Sequence, residues 1–143
     1  ERMMVRLLAF ALNADERLAF GRGLSSEGEA DLVLTDLTGA IDLWIDVGLP
    51  DEREIRKACG RAKRVAVYVY GSGADIWWRQ NAEALARQSN LAVVSLAPED
   101  TRACAKLAKR NMTLQCTIQE GHVWLADDKE SLAIEPVVRK AAA

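Results

Sequence analysis

Hydrophobic and polar residues alternate most regularly in the stretch 39–50, and the other predicted elements are arranged around it. The hydrophobic positions are Ile41, Leu43, Ile45 and Val47, and the positions between them are Asp42, Trp44 and Asp46. A period of two predicts a β-strand with one apolar face. Aspartate is depleted in strands, so the second face is of interest. It is either solvated, or it binds a divalent cation such as Mg²⁺ through carboxylate oxygens.

The remaining pattern predicts four helices and six further strands around this central strand. Helices are predicted over 1–15, 51–62, 74–88 and 98–109. Strands are predicted over 18–24, 32–37, 65–70, 91–96, 112–118 and 122–126, with an extended piece at 132–134 before a frayed tail. Strand and helix alternate over 41–96, which predicts parallel strands joined by right-handed crossovers. The chain therefore predicts an α/β fold (α+β mixed sheet), with helices on the faces of a central mixed β-sheet.

The loop before the central strand decides whether Asp36 lies near Asp42. If the loop is formed by residues 38–40, the two aspartates face each other across an antiparallel pair, with Cβ atoms about 5 Å apart. A two-residue loop shifts the register and places them on opposite faces of the sheet. The sequence leaves both registers open.

Length, charge and cysteine content narrow the class of protein. The 143 residues suffice for a single domain, 1–143, with a hydrophobic core. The net charge of −2 disfavours a surface that is basic throughout, although a local basic patch for nucleic acid is compatible with it. Three cysteines without CxxC spacing predict free, mostly buried thiols in a reducing compartment, and therefore a cytoplasmic protein.

The lengths of the hydrophobic runs indicate whether the chain could span a membrane, and its first residues indicate where the given sequence begins within the full-length protein. No apolar run reaches the roughly 20 residues that a membrane-spanning helix requires. The chain begins at Glu1, without an initiator methionine and already inside a helical pattern. We therefore expect an N-terminal segment of the full-length protein to be missing.

Four segments carry a resemblance to a known family. They are ERMM at 1–4, GAIDLWIDVGLP at 39–50, DEREIRKA at 51–58 and MTLQCTIQ at 112–119. They closely resemble the YaeQ family, whose biochemical function is unsettled and whose members are regarded as variants of the PD-(D/E)XK nuclease-like superfamily. The predicted order of elements is also similar to the core of that superfamily. The resemblance implies a restriction-endonuclease-like core and a place for a site.

Nucleases of this superfamily hold one or two Mg²⁺ ions between an acid on one strand and a (D/E)-x-K triplet on the next. Here the triplet at 46–48 has glycine in place of lysine, and the triplet at 42–44 has tryptophan. The positive charge must then come from elsewhere, and the helix over 51–62 offers two donors. On a helical wheel Lys57 lies about 200° from Ile55, on the outer face, whereas Arg56 lies about 100° away, on the flank.

The predicted site combines Asp42 and Asp46 as metal ligands with a cation from Lys57 or Arg56. The resemblance adds Glu1, on the first helix, as a supporting carboxylate. Asp42 and Asp46 lie about 13 Å apart on a straight strand, so chelation needs a bulge or an acid from another element, such as Asp36 or Glu1.

Two functions are compatible with this site. The first is a Mg²⁺-dependent nuclease-like hydrolase acting on nucleic acid. The second is a nuclease fold without catalysis, which binds nucleic acid or a transcription-associated protein. The sequence does not indicate an oligomeric state.

Overall fold

The computed structural model describes residues 2–21, 29–107, 114–127 and 129–142. Its helices are α1 (Arg2–Leu12), α2 (Glu52–Arg61), α3 (Ala74–Leu85) and α4 (Pro98–Leu107). Its strands are β1 (Leu18–Phe20), β2 (Leu32–Thr35), β3 (Ile41–Val47), β4 (Ala62–Val69), β5 (Leu91–Ser95), β6 (Gln115–Gln119), β7 (His122–Ala126), β8 (Ser131–Ile134) and β9 (Val137–Lys140). The four predicted helices and the central strand are all present.

A mixed six-stranded sheet with the order β1-β2-β3-β4-β5-β9 forms the centre of the fold. Strands β3, β4 and β5 are parallel, and the helices α2 and α3 connect them as predicted. The pairs β1–β2, β2–β3 and β5–β9 are antiparallel. A second antiparallel sheet has the order β6-β7-β8. The predicted α/β class with a mixed sheet flanked by helices is confirmed.

Apolar side chains cover both faces of β3. On one face, Leu43, Ile45 and Val47 pack in a core cluster that includes residues of α1 and α4. On the other face, Trp44 belongs to a second cluster, formed with residues of α2, α3, β4 and β5. Because only 6% of Trp44 is exposed, the interpretation of this face as solvated is wrong at its centre. Any functional group on this face must lie near the strand ends.

The C-terminal tail differs from the prediction, which had it fray after an extended piece at 132–134. Instead it forms β8 and then β9, and β9 pairs with β5 at the edge of the main sheet. The Lys140 ammonium group also donates a hydrogen bond to the Leu91 carbonyl, at 3.0 Å. Pairing satisfies backbone groups of β5 that an open edge would expose, which is a tertiary effect with no local sequence signal.

Two predictions from composition can be compared with the described residues. No helix among them is long and apolar enough to cross a membrane. The three cysteines are free, as predicted, but only Cys104 is buried; Cys59 is half-buried and Cys116 is exposed. The expectation of mostly buried thiols is therefore wrong for Cys116.

Candidate functional site

Two carboxylates lie side by side where β2 begins and β3 ends. Leu32 pairs with Ile45, and extending this register by one residue places Asp31 opposite Asp46. Asp31 Oδ2 accepts a hydrogen bond from the Val47 backbone N–H at 2.9 Å, and the Asp31 backbone interacts in turn with the Asp46 carboxylate. This acid pair (Asp31 and Asp46) lies at the carboxyl end of the parallel strands, where open α/β sheets bind ligands.

Burial dominates the electrostatics of Asp46. Removal from water raises the pKa of its carboxyl group to about 6, and the negative charge of Asp31 acts in the same direction. The Trp44 indole, the Asp31 backbone and the positive charge of Arg2 lower the pKa by smaller amounts. The Trp44 Nε1 atom is itself buried and makes no hydrogen bond of good geometry. The acid pair thus holds one carboxyl group whose proton is exchangeable close to neutral pH.

Two arginines one turn apart on α1 supply the positive charge at the acid pair. Arg2 Nη2 donates to Asp31 Oδ1 at 2.6 Å, and 38% of the Arg2 side chain is exposed. Arg6 Nη2 donates to the carbonyls of Asp31 and Gly21, at 2.8 and 3.3 Å. The guanidinium group of Arg6 also lies over the Phe20 ring. Arg2 is therefore the more accessible cation of the site.

The backbone of Gly48 explains why the triplet at 46–48 has no lysine. Its φ of +107° lies in a region that side chains other than glycine's rarely adopt. A Cβ atom placed at Gly48 would lie 3.6 Å from Arg2 Nη1. The Arg2 guanidinium group thus lies beside the position from which a triplet lysine would extend.

Comparison with known proteins identifies the family. The model of the family described as YaeQ protein matches residues 1–136. The chain is 49% identical over 135 residues to the "Uncharacterized protein YaeQ" of Escherichia coli (strain K12), covering 94% of this chain and 75% of that protein. The chain belongs to the YaeQ family. The Salmonella typhi protein of the same name is 48% identical over 136 residues, with the same coverage.

Two solved YaeQ structures share the fold described above. The crystal structure of the YaeQ protein from Xanthomonas axonopodis pv. citri superposes with a TM-score of 0.94 at 48% identity, covering 98% of this chain and 80% of that one. The YaeQ protein from Pseudomonas syringae gives a TM-score of 0.88 at 30% identity, covering 98% and 78%. The mixed sheet and its flanking helices are therefore a property of the family.

The acids predicted as metal ligands in this YaeQ chain do not meet. Asp42, at the start of β3, lies 3.4 Å from Lys63 Nζ and 3.5 Å from Arg17 Nη1, whereas Asp46 lies beside Asp31 near the end of the strand. The β2–β3 register shifts beside Asp42, between the pairs Leu34–Leu43 and Thr35–Ile41, but Asp42 and Asp46 still interact with different groups. The structure replaces the Asp42–Asp46 combination with Asp31–Asp46.

Asp36 has a local role in the turn before β3. Its Oδ1 atom accepts hydrogen bonds from the Thr38 hydroxyl at 2.6 Å, the Thr38 N–H at 2.8 Å and the Ala40 N–H at 3.0 Å. The Thr38 hydroxyl is the main reason why the pKa of Asp36 is lowered. Because the Asp36 N–H donates to the Ala40 carbonyl, Asp36 lies opposite Ala40, and the register that would place Asp36 opposite Asp42 is wrong.

The cations proposed on α2 point to partners on their own helix. Lys57 Nζ lies 3.6 Å from Glu54, and Arg56 Nε lies 2.8 Å from Glu52. Both side chains are more than half exposed, as the helical wheel indicated for Lys57. The remaining predicted residue, Glu1, lies outside the described residues.

Asp31, Arg2 and Arg6 were not predicted as site residues from the sequence. Two signals were available: the arginines lie at i and i+4 on an otherwise apolar helix, and Asp31 directly precedes an apolar strand. Neither signal indicates that the groups meet, because 29 positions separate Arg2 from Asp31.

We expect the Gly48→Ala substitution to lower the free energy of unfolding by about 1–2 kcal/mol, because alanine pays a steric penalty at positive φ. Crowding adds little, since the nearest atom to the new Cβ is at an ordinary contact distance. Gly60→Ala is the matched control, because Gly60 lies in α2 with no atom within 4 Å of an added Cβ. That substitution should raise stability by about 0.5–1 kcal/mol. Urea denaturation of both variants measures the difference. If Gly48→Ala has the same denaturation midpoint as wild type, an alanine at position 48 is not strained.

Proposed function

We propose that the protein is a divalent-metal-dependent hydrolase of phosphodiester bonds in nucleic acid, with its site at the acid pair. The observation that carries the proposal is the position of two acidic residues, Asp31 and Asp46, opposite each other at the carboxyl end of the central parallel strands, where the charge of Asp31 acts on the Asp46 carboxyl group. Like charges held this close repel each other unless a proton or a cation lies between them. Carboxylate oxygens are the ligands that Mg²⁺ and Mn²⁺ prefer.

The order of elements supports membership of the PD-(D/E)XK superfamily. The segment from α1 to β4 runs helix, three antiparallel-paired strands, helix, strand. In that superfamily one acid lies on a strand and the acidic triplet lies on the next. Asp31, immediately before β2, and Asp46, on β3, follow the same arrangement. Arg2 then takes the role of the triplet lysine that Gly48 cannot carry.

The donor set fits a partly hydrated ion. Mg²⁺ is commonly held by one or two carboxylates, with water and substrate phosphate completing six oxygen ligands. Asp31 and Asp46 would hold it, and the hydrogen bond from Arg2 to Asp31 would be shared or exchanged for one to the phosphate. A bound ion supplies an activated water and stabilises negative charge on the phosphate. Among the described residues, no set of three acids, histidines or cysteines surrounds one point, so the proposal counts two protein ligands from this part of the chain.

The test compares Asp46→Asn with Asp42→Asn in the full chain. The two aspartates lie on the same strand, but only Asp46 belongs to the acid pair. Isothermal titration with Mn²⁺ and cleavage of labelled single-stranded and double-stranded DNA and RNA are the measurements. We expect Asp46→Asn to lower the cleavage rate about a hundredfold or more, and Asp42→Asn to leave it within about threefold.

Three results contradict this proposal. They are a wild-type chain that binds no Mn²⁺, a cleavage rate that Asp46→Asn does not change, and equal losses in the two variants. Arg2→Ala and Arg2→Lys extend the test to the cation. A lysine that restores the activity lost in the alanine variant supports Arg2 as the substitute for the triplet lysine.

The second candidate is a nuclease fold that binds nucleic acid or a transcription-associated protein without catalysis. It is favoured by Gly48 at the lysine position and by the outward direction of Lys57 and Arg56 on α2. This candidate predicts binding that persists in EDTA. If α2 is the contact surface, the affinity for nucleic acid falls as the salt concentration rises. Replacing Lys57 and Arg56 with alanine should make the affinity less dependent on salt.

A further inference from the structure

The indole ring of Trp44 carries a buried polar atom. Only 6% of Trp44 is exposed, and the residue belongs to the core cluster that includes Ile55 of α2 and Val67 of β4. The Nε1 atom is removed from water and makes no hydrogen bond of good geometry with any described group. A buried N–H without an acceptor costs about 1–3 kcal/mol, and a phenylalanine would contribute to an apolar core without this cost. We therefore expect an acceptor close to the indole N–H.

Two aspartates lie on either side of Trp44 along β3. Residues two apart on a strand point to the same face, so Asp42 and Asp46 share the face of the indole. Asp42, at the start of the strand, forms salt bridges with Lys63 and Arg17. The indole interacts instead with the Asp46 carboxylate and favours its charged form. Asp46 is therefore the acceptor that the Trp44 N–H can reach.

We propose that Trp44 is a positioning residue for Asp46, whose indole N–H donates to one carboxylate oxygen and directs the other oxygen toward the bound cation. The inference rests on the proposed function, since it concerns how a metal ligand of the same site is held. An ionised carboxylate accepts hydrogen bonds at both oxygens, so the indole can hold one while the other binds the ion. Carboxylates that bind metals are commonly held by a second group in this way, and loss of that group lowers metal affinity about ten- to a hundredfold.

A neutral donor suits this position better than a lysine or an arginine. An ammonium or guanidinium group would pair with the Asp46 charge, as Lys63 and Arg17 pair with Asp42, and would compete with the cation. The indole N–H donates without carrying a charge, so it orients the carboxylate and leaves its negative charge available. Because Trp44 is packed in the core, the direction of its N–H is fixed before a cation binds, and little conformational entropy is lost on binding.

The first experiment follows the indole N–H groups of the full chain by two-dimensional proton–nitrogen NMR. The chain has four tryptophans, and the indole signal that is absent from Trp44→Phe belongs to Trp44. We expect this signal to shift in Asp46→Asn and to keep its position in Asp42→Asn. If Trp44→Phe does not fold, phenylalanine substitutions of the other three tryptophans assign the signal by elimination. A Trp44 signal that does not respond to Asp46→Asn, or that moves equally in both variants, overturns the inference.

The second experiment measures Mn²⁺ affinity by isothermal titration. We expect Trp44→Phe to bind Mn²⁺ at least about tenfold more weakly than wild type, because the Asp46 carboxylate loses the group that orients it. Trp78→Phe is the matched control, since Trp78 packs against the same core cluster, and it should leave the affinity unchanged. A folded Trp44→Phe variant that binds Mn²⁺ like wild type overturns the inference.

Saturating Mn²⁺ separates a positioning role from a general disturbance of the core. A misdirected ligand weakens metal binding, so the cleavage rate of Trp44→Phe should return toward that of wild type once Mn²⁺ saturates the site. A loss of rate that persists at saturating Mn²⁺ indicates a disturbed core and contradicts the positioning role.

The same measurements distinguish failure of this inference from failure of the proposed function. Cleavage by wild type, with an unchanged Mn²⁺ affinity in Trp44→Phe, leaves the hydrolase in place and removes the role of Trp44. A Mn²⁺ affinity that depends on Trp44, without cleavage of any substrate, supports the role of Trp44 and contradicts the hydrolase.

Discussion

Replacing Asp31 with alanine is expected to lower the free energy of unfolding by about 3 kcal/mol, one of the two largest effects predicted for this protein. The Asp31 side chain is only 9% exposed and accepts hydrogen bonds from Arg2 and from the Val47 backbone. Removing it leaves a buried N–H without its acceptor and two guanidinium groups without their counter-charge. The expected loss lies at the low end for a buried ion pair, because Arg2 is partly exposed and can turn toward water.

The matched control for Asp31→Ala is Asp75→Ala. Asp75 lies 2.9 Å from Arg139, a similar distance, but its side chain is 74% exposed. Surface ion pairs contribute little, so we expect a change of at most about 1 kcal/mol. Urea denaturation of both variants gives the comparison. Similar losses in the two variants would show that Asp31 is no more important to stability than a surface carboxylate.

The second large effect is a loss of stability in metal-free buffer as the pH rises from about 4 to about 6. Burial raises the pKa of Asp46 above its ordinary value of 3.8, to about 6, so the folded chain holds this proton more tightly than the unfolded chain does. The stabilisation by the proton is fully present below the unfolded pKa and is lost as the pH rises through the folded pKa. A shift of about 2 pKa units corresponds to about 3 kcal/mol.

Asp46→Asn isolates this effect from other titrating groups. Asparagine carries no charge at any pH, so the variant should become more stable than wild type above pH 6, by up to about 3 kcal/mol. The measurement is the difference in unfolding free energy between the two chains from pH 4 to pH 8, in EDTA. Asp42→Asn makes the same replacement on the same strand and serves as the control. A difference curve for Asp46→Asn that is flat with pH contradicts the raised pKa.

According to these two predictions, Asp31 stabilises the folded chain, whereas the ionised form of Asp46 destabilises it. The charge of Asp31 is compensated by Arg2 and by a backbone N–H. For Asp46, the loss of hydration outweighs the favourable interactions of its carboxylate. Unfavourable burial of an ionisable group is typical of functional sites, where a ligand or a cation restores the balance. The same residue whose replacement should abolish cleavage is thus expected to stabilise the fold when it is replaced.

The elements of the fold followed from local pattern more readily than the site did. The alternation within 39–50 predicted the central strand, which is β3 in the structure, and alternating strands and helices predicted the parallel centre of the sheet. Asp51 caps α2 by accepting a hydrogen bond from the Arg53 N–H at 2.8 Å, and acidic residues occupy the first turn of this helix. Strand β9 was missed, since an edge strand of four residues is stabilised by its partner rather than by its own sequence.

The candidate site shows the limit of a one-dimensional pattern. The sequence singled out Asp46 because an acid on a strand is unusual. Its predicted partner, Asp42, shares its face of the strand but lies too far along it, and its actual partner, Asp31, comes from the neighbouring strand. Pairing across strands brings residues within contact distance whatever their separation in sequence.

The sequence by itself determined the class of fold and the strand that carries Asp46, because periodicity is a property of neighbouring residues. The family followed from the resemblance of four segments to YaeQ proteins. Only the tertiary structure decided which groups surround that carboxylate. The register of β2 against β3 placed Asp31 beside it, and the packing of α1 brought Arg2 to the same point. Both depend on how separate segments meet, which is set by burial of the two apolar faces of the sheet rather than by any local signal.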